Sequence, residues 1–477
     1  MEGKLLEFVS SINAFLADYL LIALLVGVGI WYTVKTKFVQ VRCFWQGIKK
    51  VFGNVNLKGK KEKSGMSSFQ AFTTAVAGQV GTGNIIGASG AILTGGPGAI
   101  FWMWVIAFLG MATIYAEAVL AQKTREVDEA GNVSGGPVYY IKKAFPNKFG
   151  KVLAGFFAVA SVLALGFIGA MVQSNSVGEA ISNATGGVVP TWVVGLVLVV
   201  LCAIIFIGGV SRIAAVSEKL VPIMAVLYLI GGLVVIFARI TFIPEAFAMI
   251  FKYAFNPQAL IGGTVGMAIK TAVSQGAKRG LFSNEAGMGS TPHAHAQANT
   301  KSAHEQGTVA IVSVFLDTFV VLTFTALIVI STLYASDNAG AWRTLQKSEL
   351  VANGFAYAFG GGSLALTIGS IFVASCLTFF AFSTIISWNL FGKINFEYLF
   401  GKKGVVVYSV IAIVFIFLGS IFKNDLVWEL TDLFNYLMVL PNVIALFALT
   451  KMVTKELKEN GPNGKPLYPT QEENKGK

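Results

Sequence analysis

The chain is predicted to be an all-α membrane protein of eleven transmembrane helices: one extra N-terminal helix, then two five-helix inverted repeats with broken first helices. Three observations predict this class. Of the 477 residues, 55% are hydrophobic and 13% charged, with a mean hydropathy of +0.69, whereas a soluble domain carries roughly 25% charged residues. The apolar residues gather into eleven runs long enough to span a bilayer. Two of these runs are interrupted by glycine-rich polar sequence, Gly78-Gln79-Val80-Gly81-Thr82-Gly83-Asn84 and the stretch RGLFSNEAGMG from Arg279 to Gly289.

A span needs about 20 mostly apolar residues. That test places segments near 13–35, 67–93, 98–121, 152–178, 189–210, 218–238, 260–289, 306–333, 363–391, 404–421 and 429–450. The first run follows acidic Glu2 and Glu7 rather than a basic region, and no small-residue cleavage pattern follows it, so a retained helix is expected over 1–35. Residues 36–66 form a basic loop. Setting the first helix aside leaves 67–238 and 260–450 as two sets of five. Five is odd, so the second set enters the membrane from the opposite side and the two breaks meet near its midplane. The tail 451–477 carries Pro, Gly and charge with few apolar side chains and is expected to be disordered.

Orientation follows from Lys and Arg. A cytoplasmic 36–66 loop places 27 of the 36 basic residues inside and six outside, with Lys270, Lys278 and Arg279 within the seventh segment. The positive-inside rule then selects an outside N-terminus and a cytoplasmic C-terminus, in a multi-pass protein of the cell (plasma or inner) membrane. The net charge of +12 is distributed between apolar segments and resembles no nucleic-acid module. Cys43, Cys202 and Cys376 are widely spaced, which predicts neither a disulfide nor a zinc site. Gly81-Thr82-Gly83-Asn84-Ile85-Ile86-Gly87 misses the dinucleotide fingerprint by one residue and lacks a βαβ context.

Helix-breaking backbone at membrane depth is tolerated only where it is buried in protein or lines a cavity. Paired breaks in two repeats are a sequence pointer to a transporter's binding site. An unwound helix exposes amide N–H groups, which suit a carboxylate, and carbonyl oxygens, which suit a cation. Gly81 and Gly83 let a ligand approach the backbone. Thr82 adds a hydroxyl and Asn84 an amide oxygen suited to a hard cation. Packing alone explains Gly87 and Gly90, since Gly83-x-x-x-Gly87 has small-xxx-small spacing.

The sequences GQVGTGNI, ASGAILTGGPGA and RGLFSNEAGMGSTPHAHA closely resemble the alanine or glycine:cation symporter family, most clearly between Met66 and Phe391. The resemblance implies a leucine-transporter-type fold and cotransport of small neutral amino acids with sodium. It implies a second sodium site from Thr384 and Ser383, in FFAFSTIISW, facing carbonyls of Ala77 and Val80. The first sodium site would use the Gln79 carbonyl, Asn84 and the substrate carboxylate. Gln173 looks like a substrate contact in this family, although its position also fits the polar outer end of its span.

Further candidates surround these. Thr82, Gly83, Phe282, Ser283 and Trp388 are assigned to the substrate; Phe282 would wall it and Ser283 would offer a polar contact. Trp388 lies one turn beyond Thr384 on the same face and is either a pocket wall or an interfacial belt residue. Glu285, costing roughly 2.5–3.5 kcal/mol at the centre of a helix, either attracts a cation or bonds freed amides; alternatively it lies shallow, paired with Lys278 or Arg279. Asp317, about twelve residues into the eighth segment, serves a cation path or ties helices together. Glu117 precedes Lys123 and Arg125 and is expected near the cytoplasmic interface. His293, His295 and His304 are expected in a solvated or gating role rather than as metal ligands.

The expected function is therefore sodium-coupled symport by alternating access, with the lipid bilayer, sodium and a small neutral amino acid as partners. A proton-coupled symporter using Glu285 or Asp317 is the alternative. A channel and a membrane enzyme rank below both, because occlusion suits paired breaks and no nucleophile–base arrangement lies among the spans.

Overall fold

The computed structural model describes residues 2–53, 65–129, 131–256, 265–338, 340–422 and 424–462. Lys58, Lys60, Lys61 and Lys63 of the basic loop, residues 260–264 of the seventh segment and residues 463–477 of the tail lie outside the described residues. The architecture is all-α apart from two two-residue strand pairs. Among the described residues, seven helices are long and apolar enough to cross a membrane.

The first is α1, Gly3–Lys35. It is followed by a short amphipathic helix, α2, Phe44–Phe52. The strand β1, Met66–Ser67, leads directly into α3, Ser68–Gln79. A capping box starts α3: the Ser67 hydroxyl accepts from the Gln70 N–H and the Gln70 side chain accepts from the Ser67 N–H, both at 3.1 Å. After the first break, a wide turn over Gly83–Gly87 enters α4, Ala88–Gly95. Then come α5, Gly98–Thr124, the hairpin of β2, Glu126–Val127, with β3, Val133–Ser134, and α6, Pro137–Ala144.

The long helix α7, Lys148–Ala184, precedes α8, Thr191–Ile207, and α9, Gly209–Ala238. A surface helix, α10, Ile243–Phe255, precedes α11, Val265–Asn284, which ends within the second break. Beyond the break lie α12, Pro292–Ala296, and β4, Ala298–Asn299. The remaining helices are α13, Ala303–Tyr334, α14, Leu350–Ala358, α15, Ser363–Phe400, α16, Gly404–Gly419, α17, Asn424–Ala448, and α18, Thr450–Asn460.

Burial separates two environments. Leu196, Val200 and Ile204 of α8, Ile223, Val226 and Ile230 of α9, and Val406, Val410 and Val414 of α16 are exposed apolar side chains on helix faces. A lipid solvent accepts such faces, which water would not. By contrast, residues 78–84 of the first break and 280–289 of the second are all buried. Strands β1 and β4 pair in parallel, Met66 opposite Ala298 and Ser67 opposite Asn299, so the chain entering the first broken helix is joined to the chain leaving the second.

Two expectations about connections are corrected. The tail is not disordered from 451: α18 is helical because Val453 and Glu456 are buried, and Glu456 pairs with Lys123 at 2.5 Å. The basic loop contains structure as well. Helix α2 packs on α13, with Gly47 so close to the Thr308 carbonyl that a Cβ would sit 2.3 Å from it, and Lys50 meets Glu305 at 2.9 Å.

Candidate functional site

The first break opens at Val80, whose ψ of 89° leaves the helical region while its N–H still donates to the Val76 carbonyl. Side chains hold the amides that follow. The Gly81 N–H donates to the Asn84 amide oxygen at 3.0 Å, and the Thr82 N–H donates to the Gln173 amide oxygen at 3.3 Å. Gly81 is glycine because a Cβ there would lie 2.5 Å from the Thr384 hydroxyl oxygen. At Gly83 a Cβ would lie 3.0 Å from the Phe282 ring and 3.2 Å from the Ser283 Cα. The two breaks are therefore in van der Waals contact.

Within the second break, residues 279–284 are still helical as the last turns of α11, and the backbone leaves the helix at Glu285. Glu285 adopts a left-handed conformation (φ 58°), followed by Gly287 (φ 89°) and Gly289 (φ 84°). For a residue with a side chain this conformation costs roughly 1–2 kcal/mol, and such outliers cluster at ligand clamps and active sites. The Glu285 carboxylate is fully buried. One oxygen accepts from the Trp388 indole N–H at 2.5 Å and the other accepts from the Ser290 hydroxyl. The reading of Glu285 as a shallow partner of Lys278 or Arg279 is corrected: Arg279 pairs with Asp432 at 3.2 Å and Lys278 faces Asp18 at 3.9 Å.

Asp317 of α13 joins the two breaks. Its carboxylate accepts from the Asn84 amide at 2.7 Å and from the Ser283 hydroxyl at 2.8 Å; the adjacent Thr318 hydroxyl adds a bond at 3.0 Å. Gln79 donates to the Asn284 carbonyl at 2.7 Å, a second tie between the breaks. On α15, the Thr384 hydroxyl contacts the Ala77 carbonyl at 3.0 Å and the Ser383 hydroxyl contacts the same carbonyl at 3.3 Å. Val80 itself contributes the break in the backbone, where ψ reaches 89°.

The aromatic walls are also placed. Trp388 is 1% exposed, so the belt reading is corrected: its indole N–H is directed to Glu285 inside the protein. Phe282 stands edge-on to Trp388, with ring centroids 6.1 Å apart, and packs against Trp428 at 5.1 Å. Gln173, 1% exposed, belongs to the first break rather than to the end of its span. The Gln79 amide oxygen, the Thr82 hydroxyl and the Gln173 amide nitrogen are buried with no hydrogen-bond partner among the described residues. The two oxygens are of the kind that hard cations take as ligands.

Glu117 has partners that its neighbours in sequence do not announce. It is fully buried, accepting from the Asn442 amide at 2.6 Å and from the Gly287 N–H at 3.1 Å. Nearby, Lys123 pairs with Glu456 and Arg125 donates to the carbonyls of Ala296 and Ala298. Asn442 also donates to the Gly287 carbonyl at 2.9 Å and accepts from the Tyr140 hydroxyl, a support no spacing in the sequence announces. The solvated reading of the histidines is corrected too: His293 and His295 are fully buried and His304 is 4% exposed. His293 is bonded to Asn395 at 2.8 Å, His295 to Gln306 at 2.8 Å and His304 to Tyr115 at 2.8 Å.

Comparison with known proteins identifies a family and a fold. The model of the sodium:alanine symporter family matches residues 2–466. The sodium/alanine symporter AgcS of Methanococcus maripaludis is 40% identical over 453 residues, covering 95% of this chain and 96% of the relative. YrbD of Bacillus subtilis, named for a sodium/proton-dependent alanine carrier, is 39% identical over 460 residues, covering 95% and 92%. Among solved structures, MhsT in complex with L-phenylalanine aligns with a TM-score of 0.57 at 15% identity, covering 83% of this chain and 99% of that one, which shows a shared fold. With breaks in contact, polar side chains turned inward and relatives matched along nearly their full length, this is a transporter rather than an enzyme, and the chain belongs to the sodium:alanine symporter family.

Proposed function

We propose that the protein couples inward movement of sodium to uptake of a small neutral amino acid, alanine or glycine, by alternating access around the two breaks. The observation that carries this reading is the contact between them at Gly83, where Asp317 accepts from Asn84 of one break and Ser283 of the other. A zwitterion needs donors for its carboxylate and acceptors for its ammonium, and unwound backbone supplies both. Thr82, Gly83, Gln173, Phe282, Ser283 and Trp388 would surround the substrate. Ala77, Val80, Ser383 and Thr384 would hold one sodium; Gln79, Asn84 and the substrate carboxylate would hold another, with Asp317 beside it.

In this reading the chain crosses the membrane eleven times, with 67–238 and 260–450 as inverted repeats. The N-terminus lies outside and the C-terminus in the cytoplasm, as the Lys and Arg distribution favours. A tenfold sodium gradient contributes about 1.4 kcal/mol and a 100 mV potential about 2.3 kcal/mol per charge. Together they sustain a solute gradient of roughly 500-fold per ion.

A second reading, proton coupling, rests on a specific observation: Glu285 and Asp317 are fully buried, and neither is paired with Lys or Arg among the described residues. Uptake of labelled L-alanine into proteoliposomes separates the two. Sodium-driven uptake lost in Asn84→Ala and Thr384→Ala supports the first reading; uptake driven only by a proton gradient supports the second. A competition panel of glycine, D-alanine, serine and larger amino acids reads specificity. Absence of any uptake in folded protein overturns both.

A further inference from the structure

The corner before α2 and α2 itself present an exposed face that takes no part in the two breaks. Helix α1 ends at Lys35, and Lys37 (φ 54°) and Phe38 (φ 59°) follow in the left-handed region, which residues with side chains rarely adopt. Two backbone bonds hold this corner: the Phe38 N–H donates to the Thr33 carbonyl at 2.7 Å and the Lys37 N–H to the Val34 carbonyl at 3.1 Å. Beyond it, Val39, Gln40, Cys43, Gly47 and Val51 are buried at helical spacing. That side packs on α5 and α13: Gln40 donates to the Phe108 carbonyl at 3.5 Å, and the Phe44 ring stands edge-on to Phe315 at 4.8 Å.

The opposite side is apolar and basic together. Phe38, Val41, Trp45 and Phe52 are 51%, 59%, 63% and 55% exposed, and Arg42 and Lys49 are exposed between them. Water disfavours so continuous an apolar stripe, whereas a face wholly in hydrocarbon would not carry two cations. The headgroup region accepts both, because aromatic rings reach the acyl boundary while basic heads stay among the phosphates. The position agrees: the segment starts where the α1 span ends, and Lys50 at its far end meets Glu305 in the first turn of α13.

Charge selects among lipids. Residues 35–52 hold five Lys or Arg and no Asp or Glu. Lys50 is turned to Glu305 and the Lys35 ammonium lies 4.7 Å from the Trp31 ring centroid. Lys37, Arg42 and Lys49 make no ion pair among the described residues. Arg42 donates to the Lys37 carbonyl at 3.4 Å, which leaves further guanidinium N–H groups for a ligand. A zwitterionic headgroup has no net charge to offer three such cations, and an anionic one does. The apolar surface is continuous with the exposed Trp31 and Val34 at the end of α1, so the occupant is a lipid rather than a soluble anion.

We propose that the exposed face of residues 37–52 is a docking site for anionic phospholipid. Phe38, Trp45 and Phe52 enter the boundary between headgroups and acyl chains, and Lys37, Arg42 and Lys49 meet the negative headgroup. In the orientation proposed above this is the cytoplasmic leaflet. The test uses the full-length protein in phosphatidylcholine nanodiscs at low salt, with part of the lipid replaced by phosphatidylglycerol or phosphatidylcholine brominated near the headgroup. Bromine quenches a tryptophan that it touches, and the difference between wild type and Trp45→Phe isolates the signal of Trp45. Wild type is expected to take phosphatidylglycerol beside Trp45 at least about 25-fold in preference to phosphatidylcholine. Arg42→Gln and Lys49→Gln should each lower that preference about fivefold, the worth of one basic side chain near an anionic surface, and the double variant should bring it near parity. Lys49→Gln reads charge alone even where Arg42→Gln disturbs the corner. Parity in wild type, or a preference that survives both substitutions, shows ordinary annular lipid and overturns the site. Loss of the preference in inorganic phosphate, but not in chloride at the same ionic strength, shows a site for a free anion and overturns it too. Failure of either lipid to quench Trp45 also overturns it, and two chains per disc would then identify a second copy as the occupant. No arm reads uptake, so the result stands apart from the transport reading.

Discussion

The indole N–H of Trp388 donates to the Glu285 carboxylate across 2.5 Å, so a side chain of the ninth apolar segment holds the left-handed residue of the second break. Removing the donor while keeping an aromatic ring isolates this bond. Leaving a buried carboxylate short of a donor costs about 1–3 kcal/mol. Trp388→Phe is accordingly expected to lower the initial rate of alanine uptake on the order of tenfold, and Glu285→Gln, which still offers Trp388 an acceptor, to lower it less. Equal losses in the two variants would show that the bond has no part in holding the break.

The close approach of Gly81 to Thr384 allows a test of the proposed ion site. A Cβ at position 81 would lie 2.5 Å from the Thr384 oxygen, so Gly81→Ala must displace the hydroxyl that contacts the Ala77 carbonyl. The expected result is a sodium half-saturation raised at least about tenfold, in line with the strength of a lost charge-assisted contact. Sodium titration of uptake measures it, and an unchanged titration would remove Thr384 from the ion site.

Asp317 and Asn84 form one side-chain pair at 2.7 Å, buried on both sides. Contacting residues in one network couple by about 0.5–3 kcal/mol. A double-mutant cycle of Asn84→Ala and Asp317→Ala, read through sodium affinity, should therefore be strongly non-additive. Additive losses would mean that the two residues act on separate steps.

The parallel pairing of Ser67 with Asn299 ties together the ends of the two broken helices. These ends are expected to move as one body. A disulfide between Ser67→Cys and Asn299→Cys should leave uptake within about twofold of the reduced protein, since a cross-link within a rigid unit removes no transport motion. Redox-reversible block of uptake would show instead that the clasp opens in each cycle.

Asp128, in the β2–β3 connection, pairs with Lys402, just before α16, at 2.7 Å. Hydrogen bonds from Asn132 and Lys402 hold the Asp128 carboxyl well below its usual range, and Asp128 holds the Lys402 ammonium above its own. A carboxylate with a depressed folded pKa stabilises the native state at pH above its unfolded value, and that contribution is lost only as pH falls through the folded pKa. The pair therefore stays fully charged between pH 5 and 8, given reference values of about 3.9 and 10.4. Asp128→Asn is expected to leave the shape of the uptake–pH profile unchanged over that range. A profile that shifts with this substitution would place a titrating group there after all.

Much of the arrangement was legible from composition and punctuation. A 13% charged chain with long apolar runs specifies a bilayer solvent, and the polar interruptions at Gly78–Asn84 and Arg279–Gly289 mark where helices stop because glycine and clustered polar groups favour non-helical backbone. The residues at those positions were legible for the same reason: Asn84, Thr82, Ser283 and Glu285 are conspicuous in apolar surroundings. The partners of Glu117 were not legible, because Asn442 and Gly287 lie 325 and 170 residues away.

The sequence alone determined the solvent, the family and the two places where helices break, because these depend on local composition and on motif. Tertiary structure decided which side chains meet. That Asp317 touches both breaks, that Trp388 faces Glu285, that the three histidines are buried and that α18 is helical all depend on contacts between residues far apart in the chain. Such contacts follow from how apolar helix faces pack, and the spacing of residues along one helix carries no record of its neighbours.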